Sequence, residues 1–313
     1  MVTCGSVSAT RLLGGSRACS LHEDFVNTVY LNGRFLPPDK ACVSVLDRGF
    51  LFGDGIYEVI PVYGGHLFRL EAHLDRLNAS LEAVRITNPY QYRDWKALLQ
   101  TLVDKAGPGD HSLYLQITRG ADSRRDHAFP ASVEPTVFAM TTPLNVPDIS
   151  RMESGVAARM MDDTRWTRCD IKAITLLPNV LLRQAALDAG DDEAILVRDG
   201  DVLEGSASSL FIVKNGVLIT PPKGPHLLPG VTRDLVLSLA QHHDLPWLEQ
   251  ALKEPDLRSA DEIWLTSSTR EVMPVTRLDG VAVGHGRPGP VWQRMASWYR
   301  DCKMALRNGD DCL

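Results

Sequence analysis

Residues 165–175, RWTRCDIKAIT, place a lysine at the edge of an apolar run. Lys172 lies between Ile171 and Ala173, so its amine is a candidate for a position out of water. A lysine more commonly buries only its methylene stem while its ammonium group reaches solvent. A desolvated amine differs, because burial lowers its pKa and the neutral form is a nucleophile that can form a Schiff base with a carbonyl cofactor. The remaining sequence has to decide between the two.

Two other lysines, Lys96 and Lys303, also have apolar residues on both sides. Both lie in segments with amphipathic helical periodicity, where a solvent-exposed face accounts for a lysine. We therefore interpret these two as solvated, and Lys172 as the candidate reactive amine.

The composition is that of an ordinary globular chain. The 313 residues are 44% hydrophobic, and 33 Lys and Arg against 39 Asp and Glu give a net charge of −6. Nucleic acid and anionic membrane surfaces are therefore not expected partners, and no apolar run reaches the roughly 20 residues that span a bilayer. The six cysteines are dispersed without a C-x-x-C pair, so the sequence predicts neither a metal site nor a disulfide framework and favours a cytoplasmic location.

The length favours two domains. Residues 1–26 resemble a transit peptide only faintly and lack the apolar core of a secretory signal, so we interpret them as a disordered extension or the product of a misassigned start codon. Residues 27–141 are predicted to form a small N-terminal domain and residues 151–313 a larger one. The two prolines of TTPLNVPDIS predict an interdomain linker within residues 142–150.

Local patterns predict alternating strands and helices, and hence an α/β or α+β fold. Asn32-Gly33 predicts a hairpin turn, and leucines at helical spacing predict an amphipathic helix over residues 69–86. Further helices are predicted over residues 95–106, 176–189, 231–242 and 289–306. Further strands are predicted over residues 56–63, 111–118, 137–140, 193–198, 209–213, 217–220 and 262–266.

A pyridoxal phosphate site needs an acid for the pyridine nitrogen and a cradle for the phosphate besides a lysine. Glu204 ends a predicted strand and opens a loop of small residues, GSASS, where a carboxylate could approach a flat ring; alone it would suggest only an exposed turn. The segment LPGVTRD, residues 228–234, runs from a loop into a helix, whose first amides can bind an anion. Thr232 adds a hydroxyl there, or is simply the helix N-cap.

Two more segments offer polar groups without settling their use. The segment TSST, residues 266–269, follows a predicted strand and either adds hydroxyls to the site or forms a polar turn. His73 and Arg76 share one face of the helix over residues 69–86, although most helix arginines are only solvated charges.

These segments occur in an order that resembles the class IV, or fold-type IV, aminotransferases, which use pyridoxal phosphate. The resemblance covers nearly the whole chain after residue 27. It rests on five stretches: DRGFLFGDGIYE at 47–58, HLDRL at 73–77, CDIK at 169–172, EGS at 204–206 and GVTR at 230–233. It implies a two-domain fold with a smaller N-terminal α/β sandwich domain and a larger C-terminal pseudo-barrel α/β domain.

The resemblance also implies roles for individual residues. Lys172 would bind the cofactor covalently and move the proton, and Glu204 would pair with the pyridine nitrogen. The remaining cofactor contacts would come from Arg76, Ser208, Leu228, Val231, Thr232 and Ser268. No metal ion is implied.

Within the family, the loop TRGADSRRDHAFP, residues 118–130, looks like that of the D-amino acid aminotransferases. These carry an Arg-x-His pair, matched here by Arg125 and His127. With Tyr57 they would bind the substrate α-carboxylate, the loop being supplied by the partner subunit of a homodimer. The loop holds one residue more than in close relatives, so Arg124 is the alternative carboxylate ligand.

The resemblance therefore implies transamination of a D-amino acid such as D-alanine with a 2-oxo acid such as 2-oxoglutarate, by a ping-pong mechanism. Three activities on the same fold are alternatives: a branched-chain L-amino acid aminotransferase, an aminodeoxychorismate lyase and an R-selective amine transaminase. A non-enzymatic pyridoxal phosphate carrier or interaction protein is disfavoured because Lys172 and Glu204 are both present. Ser209 departs from the family pattern, in which asparagine is common at that position.

Overall fold

The first part of the chain forms one antiparallel sheet with helices beside it. The computed structural model describes residues 28–144 and 149–312. The strands are β1 (Val29–Leu31), β2 (Arg34–Leu36), β3 (Gly55–Tyr63), β4 (His66–Leu67), β5 (His111–Thr118) and β6 (Thr136–Pro143). The helices are α1 (Arg48–Phe52), α2 (Leu70–Ala83) and α3 (Tyr92–Ala106). The strand order is β2-β1-β6-β5-β3-β4.

The second part forms a ten-stranded mixed sheet. Its strands are β7 (Val156–Asp162), β8 (Glu193–Arg198), β9 (Asp201–Gly205), β10 (Ser209–Lys214), β11 (Val217–Thr220), β12 (Trp247–Glu249), β13 (Leu252–Lys253), β14 (Glu262–Ser267), β15 (Glu271–Leu278) and β16 (Val281–Ala282). Its helices are α4 (Ile149–Ser154), α5 (Leu177–Asp188), α6 (Val231–His242), α7 (Glu254–Arg258) and α8 (Pro290–Arg307). The order is β12-β11-β10-β14-β15-β7-β8-β9-β13, with β16 paired to β15. Within the described ranges, no helix is both long and apolar enough to cross a membrane.

Turn chemistry and periodicity predict many of these elements. Asn32 and Gly33 have φ angles of 46° and 86°, as the tight turn between β1 and β2 requires. The predicted strand over 193–198 and the predicted helix over 231–242 match β8 and α6. The predicted strand that ends at Glu204 corresponds to β9, whereas β7 and β15 were not predicted.

The domain boundaries stay a prediction. β6 continues to Pro143 and α4 begins at Ile149, inside the segment predicted as a linker, while residues 145–148 lie outside the described residues. The predicted extension over residues 1–26 also lies outside them.

The core of the first sheet is formed by one face of β3 and by α2 and α3. Ile56, Ile60 and Val62 alternate along β3 with their side chains fully buried, and they pack in one cluster with Leu77 and Leu81 of α2. Full burial of such a side chain is worth about 1.5–3 kcal/mol. Because the same face also carries Glu58, a charged group is built into this core.

The C-terminal helix α8 joins the two sheets. Tyr63 ends β3 and Phe68 comes directly after β4. Both nevertheless pack in one cluster with Tyr299 of α8 and Trp264 of β14. Beside them, Lys303 on α8 donates to Glu271 at 2.5 Å.

The interpretation of Lys303 as a solvated lysine was therefore wrong. The residue is buried, because α8 is covered on that side by β3 and β15. Lys96 is exposed on α3, as expected.

The sequence predicts no disulfide framework, and the structure pairs one cysteine of α8 with Cys312. Cys302 lies in α8, and the chain after Arg307 folds back so that Cys312 bonds to it, with the two Cα atoms 4.7 Å apart. Spacing of ten residues across a helix end gives no periodic signal for such a contact. Cys42 and Cys169 are free thiols.

A buried carboxylate holds the N-terminus of α8. Glu262 of β14 accepts hydrogen bonds from the backbone N–H groups of Val291 and Trp292 at 2.9 and 2.8 Å, and from Trp264 Nε1 at 3.0 Å. The carboxylate thereby satisfies amides that a helix start leaves without partners and carries negative charge to the positive end of the helix dipole.

We expect Glu262→Gln to lower the free energy of unfolding by about 1–3 kcal/mol, because the amide offers one acceptor oxygen where the carboxylate offers two. Chemical denaturation measures the difference. Glu82→Gln, at an exposed position of α2, is the matched control and should change the value by less than about 0.5 kcal/mol. Equal stability of the two variants would contradict a cap of this strength.

Candidate active site

A cavity of about 710 Å³ is lined by residues from both parts of the chain. Nine of the residues singled out in the sequence line it. They are Tyr57, Arg76, Lys172, Glu204, Ser208, Leu228, Val231, Thr232 and Ser268. Segments far apart in sequence are thus brought together, whereas Arg125 and His127 are not among the residues that line the cavity of their own chain.

The segment that carries Lys172 lies along β3 of the first sheet. Tyr57 donates its backbone N–H to the Lys172 carbonyl at 3.0 Å, and Ile174 donates to the Gly55 carbonyl at 3.1 Å. Ile171 packs into the core of the first sheet. The apolar neighbours of Lys172 therefore fix its backbone, and its side chain borders the cavity.

The electrostatic surroundings favour a neutral amine at Lys172. Burial, reinforced by the nearby positive charge of Arg76, lowers the pKa of Lys172 to about 8, against the opposing effect of Glu58 and Glu204. The Nζ atom lies 4.2 Å from the centre of the Tyr57 ring. An appreciable fraction of this lysine is therefore unprotonated and nucleophilic near neutral pH.

Glu58 of β3 orients two side chains of α2. Arg76 donates from Nε and Nη2 to the two oxygens of Glu58 at 2.8 and 2.7 Å, and His73 Nδ1 lies 2.8 Å from the same carboxylate. Burial alone would raise the pKa of Glu58, but Arg76 and His73 hold it well below its ordinary value. Arg76 also donates to the Pro229 carbonyl at 2.9 Å, which brings its guanidinium next to the start of α6.

Glu204 is held at the end of β9 by an arginine and an amide. It accepts from Arg165 Nη1 at 2.5 Å and from the Leu228 backbone at 3.2 Å. Arg165 is in turn fixed by the fully buried carboxylate of Asp163, at 2.9 Å. Burial raises the pKa of Glu204, and Arg165 opposes that effect. The carboxylate is therefore oriented from behind.

The N-terminus of α6 also borders the cavity. The N-cap residue of α6 is Gly230, and no side chain caps the helix. The alternative interpretation of Thr232 as the N-cap was therefore wrong. A Cβ at Gly230 would lie 2.4 Å from Ser209 Oγ, so any other residue here would force that hydroxyl to move. The first amides of the helix and the Thr232 hydroxyl are thus available to an anion.

This donor set fits pyridoxal phosphate. Within the described ranges, Ser208 Oγ and Thr266 Oγ1 are buried without a hydrogen-bond partner, and both residues line the cavity. Buried hydroxyls normally find partners, and a phosphorylated ring with several acceptor oxygens would supply them. No cluster of potential metal ligands occurs in the described part of the chain.

The loop after β5 lies outside this cavity but touches its edge. Arg125 and His127 are exposed, and both contact Phe52: the Arg125 guanidinium carbon is 5.0 Å and the His127 ring centre 5.2 Å from its ring centre. Phe52 itself lines the cavity. The structure therefore does not bring this pair together with Lys172 of the same chain.

Sequence reasoning missed the residues that orient the site. Glu58 had a usable signal, because it shares the inward face of β3 with Ile56 and Ile60, and a charge on a core face must be paired. Arg165 and Asp163 gave no such signal, since Arg165 reaches Glu204 across 39 positions of sequence and Asp163 acts only through Arg165.

We expect the amine of Lys172 in the cofactor-free protein to react with acetic anhydride along a pH curve with its midpoint at about 8, because the amine loses its proton as the pH rises through that value. Mass spectrometry of the peptide that contains Lys172 measures the extent, with the exposed Lys96 as the internal control for reagent. A midpoint near 10.4, about the ordinary value of lysine, would contradict this environment.

Comparison with known proteins shows the family to which the chain belongs. The sequence matches the family described as amino-transferase class IV over residues 55–278. The D-alanine aminotransferase of Bacillus licheniformis is 42% identical over 263 residues, covering 84% of this chain and 92% of the relative. That of Listeria innocua is 37% identical over 275 residues, covering 87% and 94%.

Solved structures show the same fold. The branched-chain amino acid aminotransferase of Escherichia coli superposes with a TM-score of 0.85 at 27% identity, covering 88% of this chain and 94% of that one. The enzyme of Thermoproteus uzoniensis, with norvaline, gives a TM-score of 0.80 at 28% identity, covering 90% and 96%. With a family match over most of its length and relatives of this similarity, the chain is a member of the class IV aminotransferases.

Proposed function

We propose that this protein catalyses the pyridoxal phosphate-dependent transamination of D-amino acids with 2-oxo acids, D-alanine and 2-oxoglutarate being the pair to test. The observation that carries the proposal is the amine of Lys172, with its lowered pKa, in a cavity that also contains Glu204 and the start of α6. The choice of D-amino acids is supported by the D-alanine aminotransferases that are 37–42% identical to the chain.

Two groups of cavity residues would hold the cofactor, one at its phosphate and one at its pyridine ring. The first amides of α6, at Val231 and Thr232, would bind the phosphate together with Arg76, Ser208 and Ser268. Glu204 would accept a hydrogen bond from the pyridine nitrogen. Leu228 would pack against the ring.

Lys172 is proposed as the catalytic residue. Bound pyridoxal phosphate supplies the electron sink that makes the α-proton of an amino acid removable. The Lys172 amine, whose pKa of about 8 lies close to the working pH, both accepts and returns a proton efficiently. The Tyr57 ring against Nζ restricts where the amine can move and keeps water from that side.

The substrate α-carboxylate is proposed to bind to Tyr57 of one subunit and to Arg125 and His127 of its partner. A planar guanidinium matches a carboxylate with two hydrogen bonds, and the imidazole and phenol groups add directional donors. The position of the carboxylate decides which enantiomer presents its Cα–H to Lys172, so this loop determines stereochemistry.

A homodimer is supported by exposed apolar side chains at the cavity. Leu177 and Val180 of α5 line the cavity and are nevertheless 68% and 59% exposed. Phe50 on α1, near the loop, is 75% exposed. Large exposed apolar side chains grouped at a site are typical of a surface that another chain covers, and a second copy would complete the wall of the cavity.

A cytoplasmic location is also proposed. The free thiols of Cys42 and Cys169 fit a reducing compartment, whereas the Cys302–Cys312 disulfide does not.

We expect the purified, cofactor-loaded protein to convert D-alanine and 2-oxoglutarate into pyruvate and D-glutamate, because the proposed loop binds the carboxylate of a D-amino acid. Pyruvate formation with a coupled dehydrogenase is the measurement, run beside L-leucine, aminodeoxychorismate and an R-configured amine without a carboxylate. Turnover of L-leucine instead would favour the branched-chain alternative, which the solved structures make the second candidate. Pyruvate release from aminodeoxychorismate would indicate the lyase.

We expect two inactive variants to complement each other if the loop acts in the partner's site. A Lys172→Ala subunit retains the loop, and an Arg125→Ala/His127→Ala subunit retains the lysine. Random mixing by co-refolding makes half of the dimers mixed, each with one complete site, so about a quarter of wild-type D-alanine turnover should return. Each variant alone should lose about 100-fold or more in kcat/KM. Lys172→Ala removes the amine that transfers the proton, and the loop variant loses hydrogen bonds to a carboxylate, which are worth about 1.5–3 kcal/mol each.

The Arg124→Ala variant is the control for the register of the loop. It should retain D-alanine turnover if Arg125 is the carboxylate ligand. Inactivity of Arg124→Ala with an active Arg125→Ala variant would assign the carboxylate to Arg124 instead. Failure of the mixed dimers to regain activity would place the loop in the site of its own subunit.

A further inference from the structure

The segment DRGFLFGD, residues 47–54, has no part in the chemistry proposed above, yet its charged side chains are buried. Asp47 and Arg48 are 1% and 3% exposed. A buried charge is costly unless it is paired. Apart from contacts within the segment itself, the hydrogen-bond partners of these two side chains lie at or within the loop between β5 and β6, which carries Arg125 and His127.

Asp47 fixes the two ends of that loop. Its carboxylate accepts from the hydroxyls of Thr118, the last residue of β5, at 3.0 Å and of Thr136, the first residue of β6, at 2.7 Å. The Arg48 backbone N–H donates to the Gly120 carbonyl at 2.9 Å. The strand ends from which the loop leaves are therefore held by one buried group.

Arg48 fixes the tip of the loop. Its Nη1 donates to the carbonyls of Asp126 at 2.6 Å and Ala128 at 3.3 Å, and its Nη2 donates to the His127 carbonyl at 3.3 Å. Three successive carbonyls of an exposed segment thus bond to one buried guanidinium. Since the direction of a side chain follows from its backbone, these bonds orient His127 and its neighbour Arg125.

Asp54 holds Arg48 in place and couples it to a second arginine. It accepts from Arg48 Nε at 2.8 Å and from Nε and Nη2 of Arg119 at 2.8 and 3.0 Å. Burial would raise the pKa of Asp54, but Arg119 and Arg48 hold it below its ordinary value, so it stays charged. The Arg119 guanidinium carbon lies 3.7 Å from the ring centre of Phe129, which anchors the far side of the loop.

We propose that Arg48 is the positioning residue of the substrate loop: by binding the backbone carbonyls of residues 126–128, it sets the directions in which Arg125 and His127 are offered to a substrate carboxylate. The inference rests on the proposed function for the part that concerns the substrate. The loop has almost no buried side chain of its own, so its conformation depends on the hydrogen bonds of the Arg48 guanidinium and not on apolar packing.

The test compares Arg48→Gln and Arg48→Lys with wild type as loaded dimers. Hydrogen–deuterium exchange of the peptide over residues 120–130 should become faster by about tenfold or more in both, because neither side chain can bond three carbonyls at once. The KM for D-alanine should rise about 10- to 100-fold while kcat changes less, since the carboxylate is bound less well. The cofactor absorbance per subunit should stay the same, because Arg48 does not line the cavity.

Arg159→Gln is the matched control. It breaks the arginine–aspartate pair Arg159–Asp191 of the second sheet and should alter neither loop exchange nor KM. If Arg48→Gln fails to fold, Arg48→Lys, which keeps the charge towards Asp54, provides the comparison.

Three outcomes bear on the inference. Wild-type exchange in folded Arg48 variants would overturn it, and so would faster exchange with an unchanged KM for D-alanine. Faster exchange together with a raised KM would support it. If wild type itself fails to use D-alanine, the proposed function falls, and the exchange comparison still decides whether Arg48 fixes the loop.

Discussion

The site depends on the backbone pairing between residues 172–174 and β3. Through the bonds from Tyr57 to Lys172 and from Ile174 to Gly55, a segment from the second half of the chain is attached to the first sheet. The reactive amine, the tyrosine beside it and the arginine of α2 are therefore set by a single strand. Lys172 is positioned by main-chain geometry rather than by contacts of its flexible side chain, which leaves the amine free to move over a short path.

The same strand carries the charge that orders the cavity next to the start of α6. Glu58 costs energy on a core face unless it is paired, and its pairing with Arg76 and His73 fixes both of these side chains. A second carboxylate, Glu204, is ordered in the same way by Arg165 and Asp163. In both cases a buried ion pair behind the cavity makes the group that faces the cavity rigid, which is what a preorganised site requires.

The sequence predicted features that depend on neighbouring residues better than contacts between residues far apart in the chain. Elements set by local periodicity or turn chemistry, such as α6 and the Asn32-Gly33 turn, were predicted well, and the family resemblance identified the residues that line the cavity. Strands β7 and β15 were missed, because fully paired central strands give no clear alternation. Lys303 was misjudged because its partner Glu271 is 32 positions away in sequence. No role was predicted for Arg165, because only folding brings it to Glu204.

The packing of α8 has a consequence for the order in which the chain can be made. All six strands of the first sheet have been synthesised by Pro143, yet Tyr63 and Phe68 are covered by Tyr299 from the last helix. During translation, N-terminal units fold first, so this nascent sheet leaves two aromatic rings uncovered until residues 290–307 have left the ribosome. A nascent chain that has not yet reached α8 therefore exposes an apolar surface that chaperones can recognise.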